Sequence, residues 1–188
     1  MQSVTNTCQP RPDILAGTFN PEIFTASLSQ VLDFYQGKSG GISNLYTDAG
    51  LFFTEATYPT QGLQTVLSEV FGRLSGDSSL PAIHRLETAF GGGKTHTLIA
   101  LTHLGFKGNA LKDIVAGLLI DPAALPAPDE VTVIGVAGDE IPVHKPVGTA
   151  LVPYTLWGEI AWQAGGEELY REVEIEAVSF AAPGKAFF

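Results

Sequence analysis

The sequence predicts an α/β fold, a mostly parallel sheet flanked by helices, and three observations carry that expectation. Residues 131–137, Val-Thr-Val-Ile-Gly-Val-Ala, are β-branched and apolar on both faces, as a strand covered by helices on two sides must be. Leu63, Val66, Leu67, Val70, Phe71 and Leu74 recur at i, i+3, i+4, i+7, i+8 and i+11, the single apolar stripe of a helix that would cover such a sheet. Between the two, a short apolar run at 81–86 leads through three glycines into another helical pattern, so strand, helix and strand recur along the chain.

Composition sets the outer bounds. The 188 residues suffice for one domain with a real core and are short for two. Apolar residues make up 45% and charged residues only 16%, which argues for a folded chain rather than a disordered one. A formal net charge of −10 argues against a non-specific grip on nucleic acid by this chain, because such binding needs a basic face to displace counterions. The single cysteine, Cys8, leaves no internal disulfide to form, so a reducing cytoplasm is expected. Residues 1–16 hold no basic stretch followed by an apolar run, and no window reaches the roughly 18 unbroken apolar residues of a membrane helix. A cytoplasmic protein without membrane contact is the expectation.

In chain order, residues 1–19 mix Ser, Thr, Pro and Asn without period, and Pro10 and Pro12 disfavour a helix; this reads as a flexible arm. Asn20 as cap and Pro21 at the first helical position open a helix along Phe24, Leu28, Val31 and Tyr35, ended by Gly37. Residues 38–60 read as loop with one short helix or strand, whose aromatics Phe52, Phe53 and Tyr58 pack on the core. Thr60 caps and Gly76 stops the helix through 63–74. A strand over 81–86 then enters the glycine loop, and Leu98, Leu101 and Leu104 continue it as a helix over about 94–104. A further helix follows Leu111, Ile114, Val115, Leu118 and Leu119 up to the Pro-rich linker 121–128. After the strand at 131–137 and a Pro/Gly loop, residues 156–164 form a helix with Gly165 and Gly166 behind it. The tail mixes Glu with Tyr170, Val173, Ile175 and Val178. The resulting division is an arm over 1–19, a helical region over 20–78 and a core over 79–188.

The chemistry concentrates in residues 87–95, Glu-Thr-Ala-Phe-Gly-Gly-Gly-Lys-Thr. Gly91, Gly92 and Gly93 permit a tight turn in which several backbone N–H groups point at one anion, and Lys94 and Thr95 follow at once. Against the pattern G-x-x-x-x-G-K-[ST], Gly93, Lys94 and Thr95 fit and Thr88 stands at the first glycine. A triphosphate meets such N–H groups and the positive end of the next helix with little reorganisation. Lys94 adds a charge at the β- and γ-phosphates, and the Thr95 hydroxyl is the candidate Mg²⁺ ligand. The plainer reading is a glycine turn with an exposed lysine.

Hydrolysis needs in addition an acid at the end of a second strand to hold Mg²⁺. Asp139 and Glu140, just past the 131–137 run, are the local candidates, but Gly138 and Pro142 around them also fit a solvated loop. His96 and His103, seven apart, could share a helix face; no acid or cysteine completes a zinc set, and a polar helix face is the simpler reading. His84, His144 and Cys8 lack partners in sequence, and the acids from 167 to 176 read as a solvated face. Arg171 is the only arginine beyond the loop, which argues against a small-molecule kinase that gathers arginines around the transferring group. No Asn-Lys-x-Asp motif supports guanine specificity.

The run from Leu86 to Leu101, Leu-Glu-Thr-Ala-Phe-Gly-Gly-Gly-Lys-Thr-His-Thr-Leu-Ile-Ala-Leu, resembles the phosphate loop of a family of large prokaryotic AAA-like ATPases labelled a domain of unknown function. Its members lie beside DNA methyltransferases and helicases in phage-defence clusters, including those of the phage-growth-limitation type. Tyr-Pro-Thr-Gln-Gly-Leu at 58–63 and Thr-Leu-Trp-Gly-Glu-Ile-Ala-Trp-Gln-Ala-Gly-Gly at 155–166 are similar too, and together the likeness spans about 24–184. The resemblance implies a P-loop NTPase-like three-layer sandwich with a parallel sheet, incomplete in this chain and preceded by an N-terminal helical segment. It implies ATP and Mg²⁺ as cofactors, with Thr88, Ala89, Phe90, Gly91, Gly92, Gly93, Lys94, Thr95 and His96 around the nucleotide and Lys94 as the catalytic residue. In the family Thr88 is the ordinary start of the loop, and the acidic strand lies beyond a Pro-Gly segment like Pro183 and Gly184. The expectation is therefore the N-terminal part of a longer ATPase that binds ATP with little or no hydrolysis, working with the rest of that ATPase or with other defence proteins. The alternative is a non-catalytic interaction module with an incomplete nucleotide site.

Overall fold

Three hydroxyl residues start long helices by local hydrogen bonding. Ser27 accepts the Gln30 amide, Thr60 that of Leu63 at 3.3 Å, and Thr155 that of Gly158 at 3.2 Å, each satisfying a donor that the first helical turn leaves over. The computed structural model describes residues 12–19, 26–37, 44–89, 91–119, 121–138 and 155–184. Within them α1 is the single turn Pro12–Leu15, and its proline sits at the first helical position, where a missing N–H costs nothing. α2 (Leu28–Tyr35) begins at Ser27; the expected cap Asn20 and Phe24 lie outside the described residues. α3 (Asn44–Thr47) and α4 (Ala49–Leu51) are short, and α4 runs directly into a π-helical turn, Phe52–Ala56. α5 (Gln61–Leu74), α6 (Lys94–Lys107) and α7 (Leu156–Ser179) are the long elements, with 3₁₀ turns at Gly108–Leu111 and Pro122–Ala124. Among the described residues no helix is long and apolar enough to cross a membrane.

The core forms around α6. Ile99, Ala100 and Leu104 are fully buried and join Phe52 and Phe53 of the π turn, Leu63, Leu67 and Phe71 of α5, and Leu111, Val115, Leu118 and Leu119 behind α6 in one apolar cluster. The α5 stripe is confirmed at Leu63, Leu67 and Phe71, while Leu74 at its end is half exposed. In α6 Leu104 is buried and Leu101 packs on the core as expected, but Leu98 is exposed and Ile99 and Ala100 are buried beside them. Of the side chains expected on a helix over 111–119, Leu111, Val115, Leu118 and Leu119 are buried and Ile114 is exposed, and the segment is not an α-helix: the Val115 amide bonds to Leu111 and the Leu119 amide to Val115 in separate turns.

Among the described residues no strand occurs, so the expected parallel sheet is absent and the chain is not an α/β three-layer sandwich. The physical reason lies in the partners. Residues 81–86 take no regular secondary structure and join no ladder, and Ile83 is 86% exposed. Residues 131–137 take none either, and both polar groups of Gly135 are taken by one side chain: the Gly135 amide donates to Gln163 Oε1 at 3.0 Å, and Gln163 Nε2 donates to the Gly135 carbonyl at 2.7 Å. A helix side chain thus occupies the place that a ladder strand would fill. α5 accordingly covers α6 and not a sheet.

Gly165 and Gly166 break α7 in two. Gly166 has φ 63° and ψ −147°, a region open essentially to glycine alone. Beyond this break the chain turns back, because a Cβ on Gly158 would lie 3.4 Å from the Ala177 Cβ. In one straight helix those residues would stand roughly 28 Å apart at 1.5 Å per residue. α7 is thus a helical hairpin, with the Trp162 ring edge-on to Tyr170 at 5.9 Å. Tyr170, Val173 and Ala177 are buried at helical spacing, so the tail is helix; Ile175 and Val178 face outward.

Candidate functional site

The glycine loop follows Leu86 to Ala89, which take no regular secondary structure. The Gly92 amide donates to the Ala89 carbonyl at 3.0 Å and closes the turn, and Gly91 and Gly93 both hold left-handed φ near 79° and 77°. Gly92 has no room for a side chain, since a Cβ there would collide with the Thr88 side chain. Gly93 is the N-cap of α6, and no side chain caps that end. Among helices of eight or more residues here it alone starts so, and its first turn carries no acid. The amides of Lys94, Thr95 and His96 therefore keep no intrahelical acceptor at the positive end of a 14-residue helix. Thr97 secures the turn, its Oγ1 donating to the Gly93 carbonyl at 3.0 Å.

The Lys94 ammonium folds back over the loop. It donates to the Thr88 carbonyl at 2.7 Å, to Thr88 Oγ1 at 3.2 Å and to the Ala89 carbonyl at 3.2 Å. Thr88, which stands where the general pattern has glycine, supplies two of these three oxygens. Its side chain also fills the space that makes Gly92 obligatory.

Loop and helix border a cleft of about 430 Å³. Thr88, Gly91, Gly92, Gly93, Lys94, His96 and Thr97 line it together with residues of the 56–66 segment, chiefly Tyr58, Leu63 and Val66, and with Leu86. Among the described residues none that lines it carries a carboxylate, in a chain of net charge −10. That volume lies within the usual range for small-molecule sites, about 300–1,000 Å³. His96 is held firmly: its ring stacks on Phe52 at 4.5 Å, and its Nε2 lies 2.9 Å from Thr57 Oγ1. Because the Thr57 hydroxyl donates to the Phe52 carbonyl at 2.7 Å, His96 Nε2 must be the donor in their bond. Burial lowers the His96 pKa, so the ring is a neutral, fixed group.

The structure thus gathers Thr88, Gly91, Gly92, Gly93, Lys94 and His96 around one cleft, with Ala89 contributing its carbonyl. Thr95 is exposed in the first turn of α6 and is not among the lining residues, and Phe90 lies outside the described residues. Sequence reading left Thr97 and the lining residues of the 56–66 segment and Leu86 out of the site. Thr97 is signalled only by a hydroxyl four residues past the last loop glycine, a back-bonding position. Tyr58, expected in the core with Phe52 and Phe53, is 78% exposed at the cleft.

The metal candidates resolve differently. Among the described residues no group of three or more His, Cys, Asp or Glu could hold an ion. His103 is fully buried, not part of a polar helix face: its Nδ1 is 2.7 Å from the Tyr35 hydroxyl and its Nε2 2.9 Å from the Tyr46 carbonyl. The carbonyl can only accept, so Nε2 carries the proton and Tyr35 donates to Nδ1. Desolvation pushes the His103 pKa down to about 4. His84 faces Glu69 at 3.5 Å. Arg171 bridges Glu167 and Glu174 on an exposed helical face, as expected of the acidic run. Cys8, Asp139, Glu140 and His144 lie outside the described residues.

Among the described residues fold and site define a helical domain with a glycine loop at a helix N-terminus, opening on a cleft whose described lining holds no acid. The chain matches the DUF499 N-terminal domain, a domain of unknown function, over residues 11–184, and belongs to that family. No curated protein and no solved structure matches it.

Proposed function

We propose that this chain binds ATP with Mg²⁺ at the Gly91–Gly93 loop. One observation carries the reading: the Lys94 ammonium, three loop glycines and the uncapped start of α6 meet at a cleft whose lining, among the described residues, holds no carboxylate. A lysine and uncapped amides without a carboxylate among these lining residues suit a polyanion. On this reading the Gly91, Gly92, Gly93 and Lys94 amides cradle the phosphates. Lys94 leaves its loop oxygens for the β- and γ-phosphates, and the exposed Thr95 hydroxyl is the protein ligand for Mg²⁺. Among the described residues the same lining offers no acid to orient an attacking water, in keeping with binding with little or no hydrolysis. The resemblance of 86–101 extends the proposal to a role inside a longer ATPase of phage defence, partnered by the rest of that protein or by other defence components.

Calorimetric titration with ATP–Mg²⁺ tests it. Wild type should bind and Lys94→Ala should bind at least about tenfold more weakly, since a hydrogen bond to a charged group contributes about 1.5–3 kcal/mol. Absence of heat, or equal affinity of the two proteins, overturns the assignment. A second reading, an interaction module with an incomplete nucleotide site, draws support from Thr95, which stands outside the cleft lining, and from Lys94, whose ammonium is already occupied by three oxygens. That module would show no thermal response to ATP.

A further inference from the structure

The cleft is built for more than phosphate. The loop side supplies N–H groups and an ammonium, whereas the 56–66 segment and Leu86 supply Tyr58, Leu63 and Val66 and no charge. A nucleotide has the same division, a polyanionic end and a flat apolar base with two π faces. We infer that Tyr58 is the stacking platform for the base of the bound nucleotide; the inference rests on the nucleotide-binding reading above.

Tyr58 suits this work for three reasons. Its side chain is 78% exposed although it lines a cleft, while Phe52 and Phe53, from the same stretch, are buried. Its backbone is nevertheless fixed, because its carbonyl accepts the Thr60 amide at 2.8 Å and Thr60 in turn caps α5 through the Leu63 amide. A ring on an anchored backbone loses little conformational freedom on stacking. Finally, Tyr58 is the one Phe, Tyr or Trp among the described lining residues, which include no Asp, Glu, Asn or Gln, so its ring is the large π face there that a base could stack on. Base–aromatic stacking needs only a π face, and its removal by alanine substitution has a measurable cost.

The experiment separates base from phosphate. ATP–Mg²⁺ and inorganic tripolyphosphate–Mg²⁺ are titrated into the full chain as wild type, Tyr58→Ala, Tyr58→Phe and Lys94→Ala. Expected is a loss of about tenfold or more in ATP affinity for Tyr58→Ala, unchanged tripolyphosphate affinity, and near wild-type ATP binding for Tyr58→Phe. Lys94→Ala should weaken both ligands. Tyr58→Ala that binds ATP like wild type, or that loses ATP and tripolyphosphate equally, overturns the stacking role while Lys94 dependence keeps the nucleotide site intact. Wild type that binds neither ligand overturns the nucleotide reading and this inference with it. Because Tyr58 is exposed, the alanine variant should keep the wild-type unfolding midpoint, which is measured alongside.

Discussion

Among single residues His103 ties stability most directly to pH. It is fully buried between the Tyr35 hydroxyl and the Tyr46 carbonyl, and desolvation holds its pKa near 4, below the ordinary value of 6.5. Asp48 opposes that shift, while Lys107 and His96 add to it. A folded pKa below the unfolded one means that protons bind the unfolded chain better. The stabilisation is therefore complete above pH 6.5 and lost as pH falls from 6.5 through about 4. Its full extent is on the order of 3 kcal/mol. His96, also lowered by burial, acts in the same direction. Urea unfolding at steps from pH 7 to pH 4 should show the decline, and His103→Gln should flatten part of it; parallel declines in both proteins would clear His103 of the effect. Tyr35 takes no part, because burial and Asp48 raise its pKa beyond this range.

At the scale of elements, two junctions depend on glycine. In the loop before α6, Gly92→Ala would set a Cβ against the Thr88 side chain and within 3.0 Å of the Ala89 carbonyl. The loop must open to admit it, and the loop is exposed. ATP affinity should therefore fall at least tenfold while the urea midpoint barely moves, a separation that binding and unfolding measurements on one sample reveal. In α7 the hairpin turns on Gly166, whose φ and ψ a side chain resists. Gly166→Ala should cost about 1–3 kcal/mol of stability, read by urea denaturation, with ATP affinity unchanged. A variant as stable as wild type would show that the two halves of α7 do not need that turn.

For the whole molecule, the test is linkage between ligand and folding. A ligand that binds only the native state at 100 times its Kd adds about 2.7 kcal/mol to the unfolding free energy. ATP–Mg²⁺ should raise the thermal midpoint of wild type accordingly and leave Lys94→Ala nearly unmoved. An unresponsive wild type would favour the interaction module. The coupling has a structural route, because α6 carries the loop at its first residues and Ile99, Ala100 and Leu104 of the shared core one to three turns later. His96 joins the two, lining the cleft on one side and stacking on Phe52 of the core on the other.

Much of this was legible in the sequence wherever the decisive contact is local. Thr60, the stripe through Leu63, Leu67 and Phe71, and Gly76 mark α5 from end to end, since a cap bonds three residues ahead and an apolar stripe needs only helical spacing. Gly91 to Thr95 mark the turn into α6 for the same reason, and Gly165 and Gly166 the break in α7. Where the outcome depended on residues distant in the chain, sequence alone could not decide. The apolar run at 131–137 announces burial but not what buries it, and Gln163, 28 residues beyond Gly135, took the hydrogen bonds that a strand would have made. Tyr58 and Phe52 look alike in sequence; packing against His96 and His103 drew Phe52 inside and left Tyr58 in the cleft. The sequence by itself determined the start and stop of α5, the glycine turn into α6 and the break in α7, because short-range hydrogen bonds and glycine's freedom of φ do that work. Only the tertiary structure decided that no sheet forms among the described residues and which aromatic faces the cleft, because a ladder and a buried ring each require a partner supplied from far along the chain.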